Sequence, residues 1–230
     1  EEQLIYRGKR LVNWDPVLGT AISDLEVVSE EEAGSLWHLR YPLSDGSGAL
    51  VVATTRPETM LGDVAVAVNP ADERYAALLG KTLVLPLVHR EIELIADAAV
   101  DKEFGTGALK VTPGHDPVDF EIGRRHDLPT ISILDKFGKM TAESGEFAGM
   151  DREAARKEVV RRLDSEGLLE KKEPLVHSVG ACHRCDTVVE PFLSKQWFVR
   201  MKDMAAPAAQ AARSGELQFI PARWEKTYLH

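Results

Sequence analysis

Strand, turn and helix start follow one another in a single segment of the chain, Gly105-Thr106-Gly107-Ala108-Leu109-Lys110-Val111-Thr112-Pro113-Gly114-His115-Asp116-Pro117-Val118-Asp119-Phe120. The run from Ala108 to Thr112 is short and apolar enough for a strand, and the Pro-Gly pair after it marks a turn. Asp116 is a favoured N-cap residue, and Pro117 suits the first position of the helix that follows. The segment predicts a fold in which strands and helices are mixed.

Residues 36–171 are predicted to form one compact α+β (α/β mixed) domain. Its short strands are expected at Leu36 to Pro42, Ala49 to Thr54, Val64 to Val68, Thr82 to Leu85, Ile92 to Ile95, Ala108 to Thr112 and Thr130 to Ile133. Three helices are expected around them, from Asn69 to Gly80, from Asp116 to His126 and from Asp151 to Glu166. Short strands separated by turns favour a curved or barrel-like sheet over a long parallel one.

The segments on both sides of this domain are predicted to form thin ribbons without a core of their own. Residues 1–35 show short alternating runs on both sides of a Pro/Gly turn, which predicts an N-terminal β-ribbon connector. Residues 172–230 hold a Cys-x-x-Cys turn, a strand and an Ala-rich helix, which predicts a C-terminal connector. Because so small a zone is unable to bury its aromatic residues alone, a partner surface outside the chain is implied for Trp197, Phe198, Phe219 and Trp224.

Charge and hydrophobicity exclude several classes of protein. With 230 residues, 44% of them hydrophobic, the chain is able to bury a sizeable core. No apolar run reaches the ~18 to 20 residues that span a bilayer, so no membrane partner and a cytoplasmic location are expected. The net charge of −9 argues against a broad basic surface. The basic residues from Arg156 to Arg162 favour a solvated helix face paired with Glu153 and Glu158, with RNA contact as the alternative.

Cys182 and Cys185 are the only cysteines, so a disulfide framework is excluded. A Cys-x-x-Cys turn supplies two of the four ligands of a structural zinc site, and the chain has no second pair. His177 and His183 are candidate ligands, although His183 lies between the cysteines and would point poorly. The neighbouring residues do not suggest the strand-to-helix context of a redox motif. We therefore predict half of a zinc site whose other half lies outside the chain.

A second polar segment joins the first in predicting a pocket, Ala53-Thr54-Thr55-Arg56-Pro57-Glu58-Thr59. Together the two segments concentrate hydroxyls, an Arg, a Lys, a His and two carboxylates around turn-forming Gly and Pro. Asp116 and Asp119 have a structural interpretation, as helix cap and first-turn acid, and a functional one, as carboxylates that border one cleft. Thr54 and Thr55, at the end of the strand predicted from Ala49 to Thr54, either satisfy the backbone of the turn or hold an ester carbonyl. In the second case Arg56 reaches a phosphate. An enzyme fragment is predicted.

Further short motifs extend the pattern: Tyr6-Arg7-Gly8-Lys9-Arg10-Leu11-Val12-Asn13-Trp14, Leu61-Gly62-Asp63, Ile122-Gly123-Arg124-Arg125-His126 and Glu190-Pro191. With the two polar segments they resemble the insertion of valyl-tRNA synthetases that carries the editing domain. The resemblance covers essentially the whole chain and implies that the flanks tether the insertion to a nucleotide-binding core. Isoleucyl enzymes typically have a Pro-Trp-Thr type of sequence in place of Arg-Pro-Glu-Thr. Leucyl enzymes have an Arg-Pro-Asp-Thr version but differ around Lys110, so the valyl family is favoured and the leucyl family is second.

The resemblance implies roles at the amino-acid end of the pocket. Asp119 matches the aspartate that anchors the α-ammonium group of the misattached amino acid, and Asp116 matches a carboxylate near its side-chain hydroxyl. Lys110 and Thr112 line the same pocket. His115 is assigned to substrate binding, with an orienting hydrogen bond favoured over proton transfer.

At the ester and the nucleotide, four more residues receive roles from the resemblance. Thr54 and Thr55 belong to the threonine-rich segment beside the ester, so they are grouped with Asp119 and Lys110 as catalytic residues. Arg56 and Phe104 fall where the terminal adenosine of tRNA is held, by phosphate pairing and by base stacking.

The implied activity is hydrolysis of threonyl-tRNA(Val). Threonine is nearly isosteric with valine, so an apolar synthetic pocket rejects it only roughly a hundredfold and a second site must remove it. A pocket that hydrogen-bonds the threonine hydroxyl spares valine, because buried polar groups left unpaired cost ~1 to 3 kcal/mol each. Positioned water would attack the activated ester without a metal cofactor. The implied partners are the 3′ end of tRNA(Val) carrying threonine and the remainder of the synthetase.

Two departures from the family pattern bear on these expectations. Where many members have a first Cys-x-x-Cys after the tryptophan, this chain has Asp15-Pro16-Val17-Leu18, which argues against zinc there, and cysteines downstream of residue 230 are expected to complete a structural zinc site. The chain lacks the His-Ile-Gly-His and Lys-Met-Ser-Lys-Ser signatures, so ATP-dependent activation of an amino acid is not expected of it. A non-catalytic tRNA-binding module and a zinc-ribbon interaction module are the alternatives.

Overall fold

Ten β-strands and four α-helices make up residues 4–229, the part of the chain that this computed structural model describes. The strands are β1 (Ile5–Asp15), β2 (Thr20–Ile22), β3 (Val27–Pro42), β4 (Ala49–Thr54), β5 (Ala65–Val68), β6 (Thr82–Leu85), β7 (Arg90–Ala96), β8 (Ala108–Val111), β9 (Leu169–Cys182) and β10 (Glu190–Val199). The helices are α1 (Pro117–Arg125), α2 (Arg152–Ser165), α3 (Lys202–Arg213) and α4 (Arg223–Leu229). The mixed α+β class predicted from the sequence is confirmed.

The chain divides into two units. One comprises the described residues of Glu1–Arg10 and Ser194–His230, and the larger one comprises Leu11–Leu193. Strands β3 and β9 run without a break through residues 35 and 171 respectively. The three-part division of the chain at those two positions stays a prediction.

Three sheets organise the strands, and β3 takes part in the longest pairing. A four-stranded sheet has the order β6-β7-β5-β8, in which β5 and β7 are parallel and the other pairs are antiparallel. The order β4-β3-β9 forms an antiparallel sheet, and β10-β1-β2 forms the third. Strand β3 pairs with β4 from Trp37 to Pro42 and with β9 from Val27 to Leu39, so it links a thin ribbon to the compact part of the larger unit. The sheets of residues 4–229 are open, not closed into a barrel.

The core of the larger unit has two layers that meet at β5. Val66 and Val68 pack into the main cluster, while Ala65 and Ala67 pack into a second cluster with Ile122 of α1. Successive side chains of a strand point to opposite faces, so a strand covered on both faces is apolar at every position, as β5 is. Strand β5 therefore fixes the position of its neighbour β8, which leads into α1.

Both longer helices of the larger unit begin where the sequence predicts them. Asp116 caps α1, and its Oδ1 accepts the backbone N–H groups of Val118 at 2.8 Å and Asp119 at 3.0 Å. Asp151 caps α2 in the same way. The fully buried Ala155, Val159 and Leu163 lie at i, i+4, i+8 along α2 and fasten that helix to the main core.

Two predicted elements are wrong, each for a local reason. Residues 69–80 form turns and a short 3-10 helix at Ala76–Leu78, because Asn69 and Asp72 accept backbone N–H groups two residues ahead and so compete with a helix. Residues 130–133 form no strand, since the Ile133 N–H is donated to a histidine ring and not to a neighbouring strand. No helix within residues 4–229 has the length and apolar character needed to cross a membrane.

Aromatic side chains are conspicuous in the smaller unit. The rings of Tyr6 and Phe198 stack with their centroids 5.7 Å apart, and the Arg7 guanidinium lies 5.9 Å from the Trp197 ring. Trp197 is nonetheless 70% exposed and Trp224 is 53% exposed. The prediction that this zone leaves aromatic surface uncovered by its own residues agrees with these exposures.

Candidate active site

A cavity of about 310 Å³ lies where the end of β4, strand β8 and the first turn of α1 meet. Eight of the nine residues predicted to bind or act on a substrate line it: Thr54, Thr55, Arg56, Phe104, Lys110, His115, Asp116 and Asp119. The ninth, Thr112, is fully buried and does not line the cavity. The fold therefore brings the two polar segments, about fifty residues apart in sequence, into one site.

The turn between β8 and α1 is unusually close to another part of the backbone. A Cβ atom added at Gly114 would lie 2.3 Å from the carbonyl oxygen of Ile131, a distance that no side chain tolerates. Glycine at this position lets the turn lie against residues 131–133, where the ring of the next residue, His115, accepts the Ile133 N–H at 2.8 Å. Residues 130–133, for which a strand was predicted, instead support this turn.

The two aspartates have structural contacts and also lie at the cavity, while their binding role stays a prediction. Asp116 is the cap of α1, and Asp119 accepts the backbone N–H of Thr112 through Oδ2 at 2.8 Å, which ties the helix to the end of β8. Both carboxylates also line the cavity. A residue that fixes the backbone and faces a cavity is held in one orientation, which suits it to bind a ligand.

Asp119 is the carboxylate with the most perturbed environment among the cavity residues. Only 3% of its surface is exposed, and burial raises its pKa to about 7, although the nearby Lys110 ammonium opposes the shift. The Asp116 carboxylate adds a smaller upward contribution. A carboxyl group in this state gains from a second cation placed beside it, because the cation stabilises the ionised form.

Lys110 and Thr112 are held from behind by two residues to which the sequence analysis gave no role. The Lys110 Nζ donates to Thr112 Oγ1 at 2.6 Å, and this hydroxyl donates to Asp63 Oδ1 at 2.5 Å. The fully buried Tyr41 donates its hydroxyl to the other oxygen of Asp63 at 2.7 Å. Burial raises the pKa of Asp63, with the Lys110 ammonium 3.6 Å away acting against that rise. The chain of contacts fixes the Lys110 side chain at the wall of the cavity.

His115 is neutral in this environment. Its ring is 2% exposed, and burial, together with the Arg56 and Lys110 cations, lowers its pKa to about 3. Because Nε2 accepts the Ile133 N–H, the remaining proton of the neutral ring is on Nδ1. Nδ1 has no hydrogen-bond partner among residues 4–229. The ring is thus neutral and held in place by the Ile133 N–H, and its orienting role towards a substrate stays a prediction.

Arg56 belongs to an ion network that the sequence analysis missed. Its guanidinium pairs with Glu190 and, at 3.4 Å, with the fully buried Glu58. Glu58 also accepts two hydrogen bonds from Arg156 of α2, at 2.8 and 2.9 Å. The partly exposed Arg156 thus pairs mainly with the buried Glu58, although the predicted partner Glu153 is 3.8 Å away. Arg161 and its neighbour pair with Glu158 on the exposed face as predicted.

A larger cavity of about 410 Å³ shares Thr55 and Arg56 with the first one. Its three arginines, Arg56, Arg152 and Arg156, are all paired with Glu58 or Glu190. Each guanidinium group of this cavity is thus already paired with a carboxylate. The smaller cavity, with a buried aspartate of raised pKa beside a lysine, has the stronger features of an active site.

Hydrogen bonds also shape the wall of the cavity at the end of β4. Thr54 Oγ1 accepts the N–H of Arg56 at 3.0 Å, so one threonine serves the turn as the backbone interpretation predicts. Thr59 donates its hydroxyl to the Arg56 carbonyl at 2.9 Å. Phe104 is 59% exposed at the rim, which leaves its ring accessible for stacking.

A separate cluster of possible metal ligands lies in the larger unit. Ligand atoms of Asp15, Cys182 and Cys185 all lie within 4.8 Å of one another. The expectation that Cys182 and Cys185 find their partners only outside the chain is therefore incomplete, because the Asp15 carboxylate lies beside both sulfurs. His183 is directed elsewhere, with Nδ1 3.1 Å from the Glu26 carbonyl oxygen.

Comparisons with known proteins bear on the whole chain. The family model for tRNA synthetases class I (I, L, M and V) matches residues 1–230. The valine–tRNA ligase of Coxiella burnetii is 59% identical over 229 residues, which are 99% of this chain and 25% of that protein. The valine–tRNA ligase of Carboxydothermus hydrogenoformans is 57% identical over 230 residues, which are 100% of this chain and 26% of that protein. The chain thus spans about a quarter of the length of these relatives.

Among solved structures, the LeuRS–tRNA–LeuAMS ternary complex of Agrobacterium radiobacter is similar to this chain at 16% identity. The match has a TM-score of 0.48 and covers 82% of this chain and 34% of that one.

Proposed function

Because the chain belongs to the class I tRNA synthetases, and matches a segment of valine–tRNA ligases, we propose that it is their editing segment and hydrolyses threonyl-tRNA(Val). The observation that carries the proposal is the cavity that is lined both by Asp119, whose pKa is raised, and by the threonine turn at the end of β4. Identities of 54% to 59% with valine–tRNA ligases favour the valyl assignment over a leucyl or isoleucyl one.

The proposed pocket recognises the amino acid through its two polar groups. Asp119 binds the α-ammonium group, and the added positive charge lowers the pKa of the carboxyl group so that it is ionised in the complex. Asp116 Oδ1 already accepts two backbone N–H groups, so the other oxygen, Oδ2, receives the threonine hydroxyl. Valine has no hydroxyl for Asp116, so it forgoes this hydrogen bond and is bound less well than threonine.

The terminal nucleotide binds at the rim in this proposal. Arg56 has five N–H donors, of which residues 4–229 use three, through Glu58, Glu190 and the His115 carbonyl. Two donors stay available for a phosphate, in a guanidinium whose direction the two glutamates fix. Phe104 offers a stacking face for the adenine.

Hydrolysis then needs a water molecule held near the ester carbonyl carbon. The water oxygen bonds to that carbon, the bond from carbon to the ribose oxygen breaks, and a water proton passes to the ribose oxygen. Thr54 and Thr55 lie at the ester and hold the carbonyl and the water, while Lys110 stabilises negative charge as it develops. The proposed reaction requires no metal cofactor, and it occurs in the cytoplasm where the full synthetase would charge tRNA.

The test compares two substrates with one protein. The chain is incubated with threonyl-tRNA(Val) and with valyl-tRNA(Val), and release of each amino acid is followed. We expect faster loss of threonine than of valine, and loss of that preference in Asp119→Ala. Glu121→Gln, on the exposed face of the same helix, is the matched control and should behave as wild type. If threonine is not lost preferentially, the deacylase proposal fails and a tRNA-binding module is the better description. If wild type prefers threonine but Asp119→Ala is unchanged, the role given to Asp119 fails.

A further inference from the structure

Two turns of the larger unit meet at the cluster of Asp15, Cys182 and Cys185. Asp15 is the last residue of β1 and begins the turn to β2, while the Cys182–Cys185 turn, here called the knuckle, follows β9. Asp15 and Cys182 are fully buried, and Cys185 is partly so. A knuckle of this spacing is typical of structural zinc sites, so the fit of the cluster to zinc is the question.

The donor set does not complete a zinc site. Structural zinc takes four ligands in tetrahedral geometry, and the cluster offers two sulfurs and one oxygen. The position three residues after Asp15, where a Cys-x-x-Cys pair would have its second sulfur, is Leu18, which has no ligand atom. Among residues 4–229 no fourth His, Cys, Asp or Glu joins the group.

Both carboxylate oxygens of Asp15 already accept hydrogen bonds within the protein. Its Oδ1 accepts the backbone N–H groups of Val17 and Leu18, each at 2.8 Å, and its Oδ2 accepts the Cys185 thiol at 2.9 Å. Two ligands on one zinc ion, at Zn–S and Zn–O distances of about 2.3 and 2.0 Å, would be about 3.5 Å apart. The observed separation of 2.9 Å is shorter, as expected for a carboxylate that contacts the thiol directly and not for two ligands of one zinc ion.

The knuckle also closes through its own backbone. Asp186 N donates to the Cys182 carbonyl at 2.8 Å, and Cys182 N donates to the Thr187 carbonyl at 2.9 Å. These bonds shape the turn without a metal. What fastens the knuckle to the β1–β2 turn is the contact between Asp15 and the thiol.

We infer that this knuckle is metal-free, and that the Asp15 carboxylate takes the place that zinc has in a four-cysteine site. It accepts a thiol hydrogen bond from the knuckle and two backbone N–H groups from its own turn, and so joins the two turns. The inference does not depend on the deacylase proposal.

The first experiment measures metal content and its effect on stability. The full chain is produced in medium with added zinc, purified under reducing conditions, and analysed for zinc by mass spectrometry; its unfolding midpoint is recorded with and without 1,10-phenanthroline. We expect no zinc above background and the same midpoint in both conditions. One zinc per chain, with a midpoint that falls when the chelator removes it, would overturn the inference.

Matched variants separate a hydrogen bond from a metal bond. Cys185→Ser keeps a donor for Asp15, so its midpoint should fall by at most about 2 to 4 °C, whereas Asp15→Ala loses the acceptor and should fall further. A Cys185→Ser midpoint as low as that of Asp15→Ala would contradict the inference, and if Asp15→Ala does not fold, zinc content and Cys185→Ser decide the matter.

A gain-of-function variant tests the assignment of the positions. Asp15→Cys combined with Leu18→Cys restores four sulfurs, so this protein should bind one zinc per chain and become sensitive to the chelator. Absence of zinc in that variant would show that residues 15 and 18 do not stand at ligand positions, and the inference would fail.

Discussion

Ionisation of Asp119 should control the acid side of the pH profile of deacylation. Its pKa is about 7 in the free protein because 97% of its surface is buried, while its ammonium-binding role requires the ionised form. The value of kcat/KM for threonyl-tRNA(Val) reports the ionisation of the free protein. The value of kcat/KM should therefore rise about tenfold per pH unit below pH 7 and level off above pH 7. The reason is that the raised pKa keeps Asp119 protonated until the pH reaches about 7.

Asp119→Asn is the sharpest perturbation of this group. Asparagine still has an oxygen to accept the Thr112 N–H, so the turn is retained while the negative charge is removed. Truncating one partner of a buried charge pair costs about 2 to 5 kcal/mol, which lowers kcat/KM about 30- to 5,000-fold. The side chain is almost completely buried, so solvent does not screen the missing attraction and the upper half of that range is expected.

The assay is release of labelled threonine from threonyl-tRNA(Val), with kcat/KM measured from about pH 5.5 to pH 8.5. Wild type should show the acid limb, and Asp119→Asn should be slow with no such limb. Glu121→Gln, exposed on the same helix, should follow wild type. An acid limb that persists in Asp119→Asn, or a variant within threefold of wild type at pH 8, would refute the role given to Asp119.

Three further predictions concern stability. Glu58→Gln removes the buried carboxylate that two arginines share, and it should lower the free energy of unfolding by about 3 kcal/mol. This is the low end for a broken buried ion pair, because both arginines are partly exposed. In the same urea titrations, Glu153→Gln at an exposed position should change the free energy of unfolding little. Tyr41→Phe removes one donor from Asp63 and should cost about 1 to 3 kcal/mol by the same measurement; no change would argue against that hydrogen bond. Folding raises the pKa of Asp119, so the native protein keeps this proton to a higher pH than the unfolded chain does. The free energy of unfolding of wild type should therefore fall by about 3 kcal/mol between pH 5 and pH 8. Asp119→Asn should remove this part of the fall when both proteins are unfolded in parallel.

The elements that local chemistry specifies could be predicted from the sequence. Strand β8 and the start of α1 follow from an apolar run, a Pro-Gly turn and an Asp-Pro cap, all within sixteen residues. The helix expected from Asn69 failed because side-chain oxygens there accept backbone N–H groups at short range. Cap residues at a helix start and Asx residues in turns use the same hydrogen bonds, so the sequence alone does not separate the two.

The contacts behind the cavity could not be predicted, because they join residues that are far apart in the sequence. Asp63 meets Thr112 across 49 positions, and Glu58 meets Arg156 across 98. No local spacing signals such pairs, although Leu61-Gly62-Asp63 and Glu190-Pro191 were among the motifs that carried the family resemblance. Asp15 shows the same limit: its sequence argued against a metal site in that turn, and only the fold shows that it contacts the knuckle 170 residues away.

The link between Arg56 and Glu190 has a consequence for how this protein can be dissected. Every residue that lines the smaller cavity lies between positions 36 and 119, so a piece ending at residue 171 would keep the whole lining. It would also remove Glu190 and most of β9, and the Arg56 guanidinium would lose one of the two carboxylates that aim it. The smallest portion that could act alone must therefore include the ion network as well as the pocket lining, and so it extends to at least residue 190.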